Sequence, residues 1–186
     1  MILGHKELVI FKRSIKLLYF DEVMSNIEEI IPKDQIMLKE IVHICVVVRD
    51  VDATAEAFAK KFGIGPWRIR VVRSTSMKKS IYNQPSEFAI KFGWARLGPI
   101  TLELAENVSG AMILKEFLEK HGEGIHHIGL STPVPFDSEL DKWKKLGIDP
   151  LLATSMDDPE EGWAYMDTQN LVGCILEILS LKRYQE

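Results

Sequence analysis

The sequence predicts an α+β fold in which two βαβββ modules in tandem form a curved mixed sheet around a cleft. Three observations predict it: an internal repeat, the same order of predicted elements in both copies, and polar residues at equivalent points of otherwise apolar strands. The chain has 186 residues, of which 46% are hydrophobic and 27% charged. These values are typical of one globular domain, or of two small modules that share a core.

The internal repeat has an offset of 84 residues. Shifted by this amount, VHICVVVRDVDATAEAFAKKFGIGP aligns without a gap on HHIGLSTPVPFDSELDKWKKLGIDP. The alignment places His43 on His127 and the pair Lys60-Lys61 on Lys144-Lys145. A repeat of this kind indicates two copies of one supersecondary unit.

The first module begins with a run of β-branched residues at 41–48, which predicts a buried strand. Helical spacing follows over 53–62, with Asp50 or Asp52 as the N-cap and Gly63 just past the end. Alternation and apolar runs then predict three strands, at 67–72, 87–97 and 100–106. The polar segment 73–86, which contains Pro85, is predicted to be a long loop.

The second module repeats this order after an amphipathic helix over 111–122. It has a predicted strand at 125–132 and a helix at 136–147, and the acidic segment 155–161 reads as a loop. Three further strands are predicted at 149–154, 162–168 and 173–180. We therefore divide the chain into an N-terminal extension (1–38), a first module (39–106), a linker helix (107–122) and a second module (123–181).

Composition excludes several classes of function. With a net charge of −4, the chain lacks the excess of basic residues that is typical of a nucleic-acid-binding protein. No apolar run is long enough to span a membrane, and charged residues interrupt the first twenty residues too often for a signal peptide. Cys45 and Cys174 provide no disulfide framework, which predicts a cytoplasmic protein.

Each module carries a histidine near the start of its first strand and a glutamate within its last strand. These residues are His43 and Glu103 in the first module and His127 and Glu177 in the second. A carboxylate flanked by Leu and Ile needs a cation, a proton or several donors, because burying it unpaired is costly. Imidazole nitrogen and carboxylate oxygen are common ligands of divalent metals. The four residues therefore predict a metal-binding cleft that holds Co, Ni, Mn, Zn or Fe.

Two residues close to the candidate ligands in the sequence are not expected to bind the metal. His126 precedes His127 in a predicted strand, so we expect its side chain to face the opposite way. Cys45 lies on the predicted cleft face, and we expect it to pack in the core.

The chain resembles the vicinal oxygen chelate superfamily, which includes glyoxalase I, methylmalonyl-CoA epimerase, extradiol dioxygenases and antibiotic-resistance binding proteins. The resemblance covers about 39–181. It is carried by the segments VHICVVVRDVD, FGIGPW, LGPITLELAE, EGIHHIGLS and GCILEILS. The layout is most similar to that of the epimerases. The resemblance implies that His43, Glu103, His127 and Glu177 are metal ligands. Epimerases often carry glutamine where Glu103 stands, whereas glyoxalase I commonly carries glutamate.

The resemblance also implies two catalytic carboxyl groups. Epimerases have a glutamate base that enters the strand before the last one of the first module, and counting back sixteen positions from Glu103 reaches Glu87. The other interpretation of Glu87 is an exposed residue at a strand start. Epimerisation needs a second carboxyl group on the opposite face of the substrate, and Glu177 is the candidate.

The implied function is divalent-metal-dependent proton transfer α to a carbonyl, in an acyl-CoA epimerase similar to methylmalonyl-CoA epimerase. One alternative is a lactoylglutathione lyase similar to glyoxalase I, and another is a non-catalytic small-molecule binding protein of the same fold. The expected partner is an acyl-CoA or a thiol adduct, whose anionic groups Arg68, Arg70 and Arg73 could bind. We expect a homodimer, with neither nucleic acid nor membrane as a partner.

Overall fold

The computed structural model describes residues 36, 38, 40–73, 79–81, 88–132, 135–155 and 161–180. The chain divides into two units, and all of these residues belong to the second, 36–186. The predicted extension 1–38 lies outside the described residues except for Ile36 and Leu38, and Glu87 also lies outside them. No helix in the described part of the chain is long and apolar enough to cross a membrane.

The described residues form nine strands and four helices. The strands are β1 (Glu40–Val47), β2 (Arg68–Arg73), β3 (Lys79–Ile81), β4 (Ala89–Leu97), β5 (Ile100–Ser109), β6 (Gly124–Ser131), β7 (Pro150–Ser155), β8 (Gly162–Met166) and β9 (Ile175–Ser180). The helices are α1 (Val51–Phe62), α2 (Met112–His121), α3 (Phe136–Lys145) and α4 (Gln169–Val172).

All nine strands belong to one mixed sheet, in the order β2-β4-β5-β1-β6-β9-β8-β7-β3. β1 is parallel to β5, and β6 is parallel to β9, whereas β1 and β6 are antiparallel to each other. Apart from β3, which belongs to the first module by sequence but lies at the far edge of the second, each module contributes four strands in an equivalent order, and the two sets meet at β1 and β6. The predicted α+β fold of two tandem βαβββ modules is confirmed, and their eight strands form a curled half-barrel.

Helix α1 begins and ends where the sequence signals indicate. The Asp50 side chain accepts a hydrogen bond of 3.0 Å from the backbone N–H of Ala53, so Asp50 rather than Asp52 is the N-cap. Gly63 adopts a left-handed conformation with φ of 68°, and its N–H donates to the carbonyl oxygen of Ala59. Glycine adopts this conformation without the steric cost that a Cβ would add.

Helices α1 and α3 cover one face of the sheet, and α2 packs on the other. Val51 and Ala55 of α1 pack on Val48 and Leu104, and α3 makes an equivalent cluster with β7, β8 and β9. Residues of α2, including Leu114, pack with inward-alternating residues of the central strands. We call this second face the site face, because it carries His43, Glu103, His127 and Glu177.

Two elements differ from the sequence prediction. The predicted loop 73–86 contains strand β3, which pairs with β7 of the other module. The short helix α4 was also not predicted. It follows Thr168, whose hydroxyl donates to the carbonyl oxygen of Cys174 and accepts from the N–H of Leu176. Strand β3 depends on a partner in the other module, and α4 is a single short turn of four residues, so neither shows in the local apolar pattern.

Close packing between β8 and α3 gives a test of the fold. A Cβ atom added at Gly162 would lie 2.6 Å from Cγ of the Phe136 ring, which is buried and cannot move aside. We expect Gly162→Ala to lower the free energy of unfolding by about 1–3 kcal/mol, as overpacking of a core does. Urea denaturation followed by circular dichroism measures the loss. Gly124→Ala is the control, because a Cβ there meets no atom within 4 Å. Equal stability of the two variants would contradict the packing described here.

Candidate metal centre

The candidate site lies on four neighbouring strands, β5, β1, β6 and β9, and its residues occupy two adjacent rows across them. Residues in register form a first row of Glu103, Cys45, His127 and Ile175 and a second row of Thr101, His43, Gly129 and Glu177. In each row, one small residue separates the histidine from the glutamate. The two rows run in opposite order across the sheet, because β1 and β6 are antiparallel. The four predicted ligands are therefore brought onto one patch of the site face.

The polar atoms of the four side chains converge on a small volume. His43 Nε2 lies 3.0 Å from His127 Nε2, 2.7 Å from Glu177 Oε2 and 3.8 Å from Glu103 Oε1. His127 Nε2 lies 3.3 Å from Glu177 Oε2 and 3.7 Å from Glu103 Oε1. All four residues are buried, with exposed fractions between 0 and 7%. The arrangement concentrates two carboxylates and two imidazoles where little water reaches them.

These separations fit a group of ligands that share one metal ion. Ligand nitrogen and oxygen atoms lie about 2.0–2.2 Å from zinc, so two ligands of a tetrahedral ion would be roughly 3.4 Å apart. Single donor atoms of His43, Glu103 and His127 all lie within 4.8 Å of one another. Imidazole and carboxylate together suit first-row divalent metals. These three residues could therefore hold a metal ion, and Glu177 lies beside them.

Because Gly129 has no side chain, the His43 ring has room beside it. A Cβ atom at Gly129 would lie 2.6 Å from both Nδ1 and Nε2 of the His43 ring. The ring therefore lies directly against the backbone of β6 and reaches Glu177, which is the next residue in its row. Cys45 occupies the equivalent place in the other row, between Glu103 and His127. It is fully buried in the core, as the sequence analysis expected.

The charges in the site hold their neighbours in defined protonation states. Burial by itself raises the pKa of Glu177, but the charges and hydrogen bonds of His43 and His127 outweigh it and lower the pKa to about 2. Burial, together with the charge and hydrogen bond of Glu103, raises the pKa of the Cys45 thiol well above its ordinary value. The patch therefore contains an ionised Glu177 next to a neutral thiol at pH 7.

The sequence analysis missed two aromatic residues on the strands next to the glutamates. Trp94 on β4 is in register with Glu103, and its indole N–H donates a 2.6 Å hydrogen bond to Glu103 Oε2. Tyr165 on β8 is in register with Glu177, and its ring lies 4.6 Å from the ring of His127. Burial and the charge of Glu177 raise the pKa of Tyr165 well above its ordinary value, so the phenol is neutral. These residues are identified by the register between neighbouring strands, which the amino-acid sequence of one strand does not specify.

His126 contradicts the expectation that it faces away from His127. Strand β6 has a bulge at this point: Cys45 pairs with His127 and Val46 pairs with Ile125, so His126 has no partner across the ladder. The extra residue in a bulge interrupts the alternation of side chains between the two faces of the sheet, so the side chain at the bulge points in a different direction. The rings of His126 and His127 consequently both contact Tyr165 on the site face. Burial, followed by the charge of His127, lowers the pKa of His126 to about 3.

The predicted arginines lie on the edge strand next to the aromatic residues. Arg68 is in register with Trp94, and Arg70 is in register with Phe92. Both arginines are exposed, and Phe92 and Trp94 stack with ring centroids 5.3 Å apart. Because residues in register share a face, this basic and aromatic edge is continuous with the site face. Arg73 lies at the end of the same strand.

Comparisons with known proteins agree on the family and the fold. A family model described as "Glyoxalase/Bleomycin resistance protein/Dioxygenase superfamily" matches residues 42–166, about two thirds of the chain. A solved methylmalonyl-CoA epimerase in complex with methylmalonyl-CoA and ammonium has a TM-score of 0.60 at 19% identity, over 78% of this chain and 96% of its own. A Streptomyces coelicolor methylmalonyl-CoA epimerase variant with 2-nitronate-propionyl-CoA gives the same values.

The methylmalonyl-CoA epimerase of Mycobacterium tuberculosis has a TM-score of 0.55 at 13% identity, over 84% of this chain and 97% of its own. At these identities the likeness establishes the fold alone. A comparison with curated protein sequences gives no match.

The contact between Gly129 and His43 gives a test of the site. We expect Gly129→Ala to push the His43 ring away from the other donor atoms, because the added Cβ would occupy the space of that ring. The affinity for a divalent metal should fall about tenfold or more, which is the scale seen when the support of a ligand is removed. Titration of chelator-treated protein with zinc measures it. Gly124→Ala on the same strand is the matched control, and an unchanged affinity in both variants would contradict the arrangement.

Proposed function

The chain belongs to the glyoxalase/bleomycin resistance protein/dioxygenase superfamily, and on that basis we propose that it is a divalent-metal-dependent acyl-CoA epimerase. The observation that carries the proposal is the convergence of two histidines and two glutamates, one of each from each module, within 2.7–3.8 Å around the two Nε2 atoms. The resemblance inferred from the sequence is confirmed at the level of the superfamily.

His43, Glu103, His127 and Glu177 would together hold the ion. A divalent ion bound there would act as a Lewis acid for the negative charge that develops on a substrate carbonyl oxygen. Two carboxylates and two neutral imidazoles give the ligand set a charge of −2, which favours a cation in a buried place. Co, Ni, Mn, Zn and Fe all accept these ligands.

The two glutamates have different surroundings, which supports different roles for them. The indole N–H of Trp94 fixes one oxygen of Glu103. Both glutamates lie near the two imidazoles, but Glu177 is in register with Tyr165 rather than with a tryptophan. A carboxylate held by a neutral donor is suited to a fixed ligand. We assign proton transfer to Glu177, which would carry the proton on one face of the substrate.

Glu87 completes the proposal as the base on the other face. Its assignment rests on the resemblance of the sequence alone, because Glu87 lies outside the described residues. The next residue, Phe88, is buried and belongs to the core cluster of the site face. A proton α to a thioester carbonyl is weakly acidic, so a positioned base is needed in addition to the ion.

The basic and aromatic edge supports an anionic, CoA-linked substrate. Arg68 and Arg70 are exposed next to the stacked rings of Phe92 and Trp94. Guanidinium groups bind phosphates through paired hydrogen bonds, and aromatic rings offer a surface to a nucleobase. A fold relative at 19% identity was solved with methylmalonyl-CoA. We therefore place the acyl group at the four ligands and the CoA moiety toward β2.

A lactoylglutathione lyase similar to glyoxalase I is the second candidate. The residue that favours it is Glu103, since epimerases often carry glutamine at the matching position. In that reaction, ligand glutamates move a proton between neighbouring carbons of a hemithioacetal, and no separate base such as Glu87 is required. A non-catalytic binding protein of the same fold is the third candidate. The homodimer and the cytoplasmic location remain predictions.

The first test combines metal content with α-proton exchange. We expect chelator-treated protein to take up about one divalent ion per chain, and the loaded protein to exchange the α-proton of methylmalonyl-CoA with deuterated water. His127→Ala removes a donor atom from the buried group, and Glu177→Gln replaces a charged oxygen donor with a weaker neutral one, so we expect both variants to lose most of the ion. Elemental analysis measures the first quantity, and NMR measures the second.

The controls remove the same residue types from the exposed side of α2. His121→Ala and Glu116→Gln should keep full metal content and exchange. Exchange with a hemithioacetal of glutathione, in place of the acyl-CoA, would favour the lyase. Metal or substrate binding without any exchange would favour the binding protein. A wild-type protein that takes up none of the five metals would contradict the metal site altogether.

Glu87→Gln separates the base from the ligands. We expect this variant to keep its metal content and to lose about 10²–10⁴ in the rate of α-proton exchange, the usual contribution of a general base. Glutamine preserves the shape of the side chain but removes its basicity. Exchange at the wild-type rate would show that Glu87 is a surface residue. Proton transfer would then fall to the ligand glutamates, as in the lyase candidate.

A further inference from the structure

Strands β1 and β6 each contain a bulge one residue before the site histidine. In β1 the unpaired residue is Val42, and in β6 it is His126, as the shifts in register show. The internal repeat aligns these two positions. The backbone therefore makes the same irregularity twice, but only the second module places a polar side chain there. The sequence analysis gave His126 no function, and the proposed mechanism does not use it.

The bulge brings the His126 ring against that of His127. The two Nδ1 atoms lie 2.8 Å apart, which is a hydrogen-bond distance, in a buried environment. The His126 ring meets Phe117 of α2 edge-on at 5.0 Å and Tyr165 of β8 at 5.3 Å. His126 is 2% exposed. Rings on both sides thus hold it in place against His127.

The direction of this hydrogen bond follows from the proposed role of His127 as a metal ligand. A neutral imidazole carries its hydrogen on one nitrogen and a lone pair on the other. His127 Nε2 points at His43, Glu103 and Glu177. If Nε2 is to bind a cation, it must present a lone pair, so the hydrogen of His127 must be on Nδ1. That hydrogen needs a buried acceptor, and Nδ1 of His126 lies at the right distance.

We propose that His126 is a positioning residue, whose Nδ1 accepts a hydrogen bond from Nδ1–H of His127 and thereby directs the Nε2 lone pair of His127 into the metal centre. This inference deepens the function proposed above and rests on it. Groups that accept from the second nitrogen of a ligand histidine fix both its tautomer and the orientation of its ring. An imidazole here takes the place that a carboxylate or a backbone carbonyl usually occupies.

The two halves of the site are therefore supported differently. Val42, at the equivalent bulge in β1, has no polar side-chain atom and is part of the core. His43 instead lies against the backbone at Gly129. The ligands repeat between the modules, but the means of orienting the two histidines does not.

Three variants separate the hydrogen bond from packing. His126→Phe keeps the aromatic volume and removes the acceptor, and we expect the zinc affinity of the protein to fall about 10- to 100-fold. His126→Asn should restore most of the affinity, because its amide oxygen can accept at nearly the position of Nδ1. Phe117→Leu disturbs the packing of His126 but leaves the hydrogen bond, so it should change zinc affinity less than threefold.

NMR of the zinc-loaded, ¹⁵N-labelled wild type observes the bond itself. We expect the His127 ring to carry its hydrogen on Nδ1 and to show a scalar coupling to Nδ1 of His126 across the hydrogen bond. The coupling should persist in Phe117→Leu and vanish in His126→Phe. These readouts report hydrogen bonding and do not depend on turnover.

The outcomes are distinct. A wild type that binds zinc but shows no coupling, or whose His127 donates from Nδ1 to another group, overturns the role of His126 and leaves the proposed function intact. Equal losses of affinity in His126→Phe and Phe117→Leu reduce His126 to a packing residue. A wild type that binds no divalent metal overturns the proposed function, and the positioning role with it.

Discussion

The antiparallel pairing of β1 with β6 is the constraint on which the site depends. Ile44 and Ile128 are partners at the centre of this ladder, and the internal repeat aligns these same two residues. The pairing therefore relates the modules as two halves that run in opposite directions. It sets His43 across from Gly129 and His127 across from Cys45, so the two histidines fall on adjacent strands in adjacent rows. The parallel partners β5 and β9 then bring in one glutamate each.

This arrangement buries charge, and the rest of the domain compensates for it. An ionised carboxylate in a dry environment is unfavourable unless opposite charge or several donors surround it. Glu177 has two imidazoles within 3.3 Å, and Glu103 has the indole of Trp94 in addition. Helices α1 and α3 cover the opposite face with two apolar clusters, so the stability of the sheet does not depend on the site face alone.

The backbones of the two modules correspond more closely than their side chains do. Trp94 and Tyr165 occupy equivalent places next to the two glutamates, and one donates to its glutamate whereas the other lies over His127. The surroundings of the two glutamates therefore differ, although the strands that carry them occupy equivalent places in the two modules.

The sequence by itself determined the repeat, the order of the elements that the two modules share, and the fold class. The caps Asp50 and Gly63 depend only on residues close by in the sequence, and a run of apolar residues is enough to predict a buried strand. Polar residues in such runs also led to the prediction that four residues need a common partner, namely His43, Glu103, His127 and Glu177.

Tertiary structure alone decided which residues surround them. Trp94 and Tyr165 are identified by register between strands, β3 by its pairing with the other module, and the orientation of His126 by a bulge that breaks the alternation of β6. The physical reason is that register and bulges depend on the partner strand. A local pattern specifies a strand, but the hydrogen bonds and packing across the sheet determine which side chains meet.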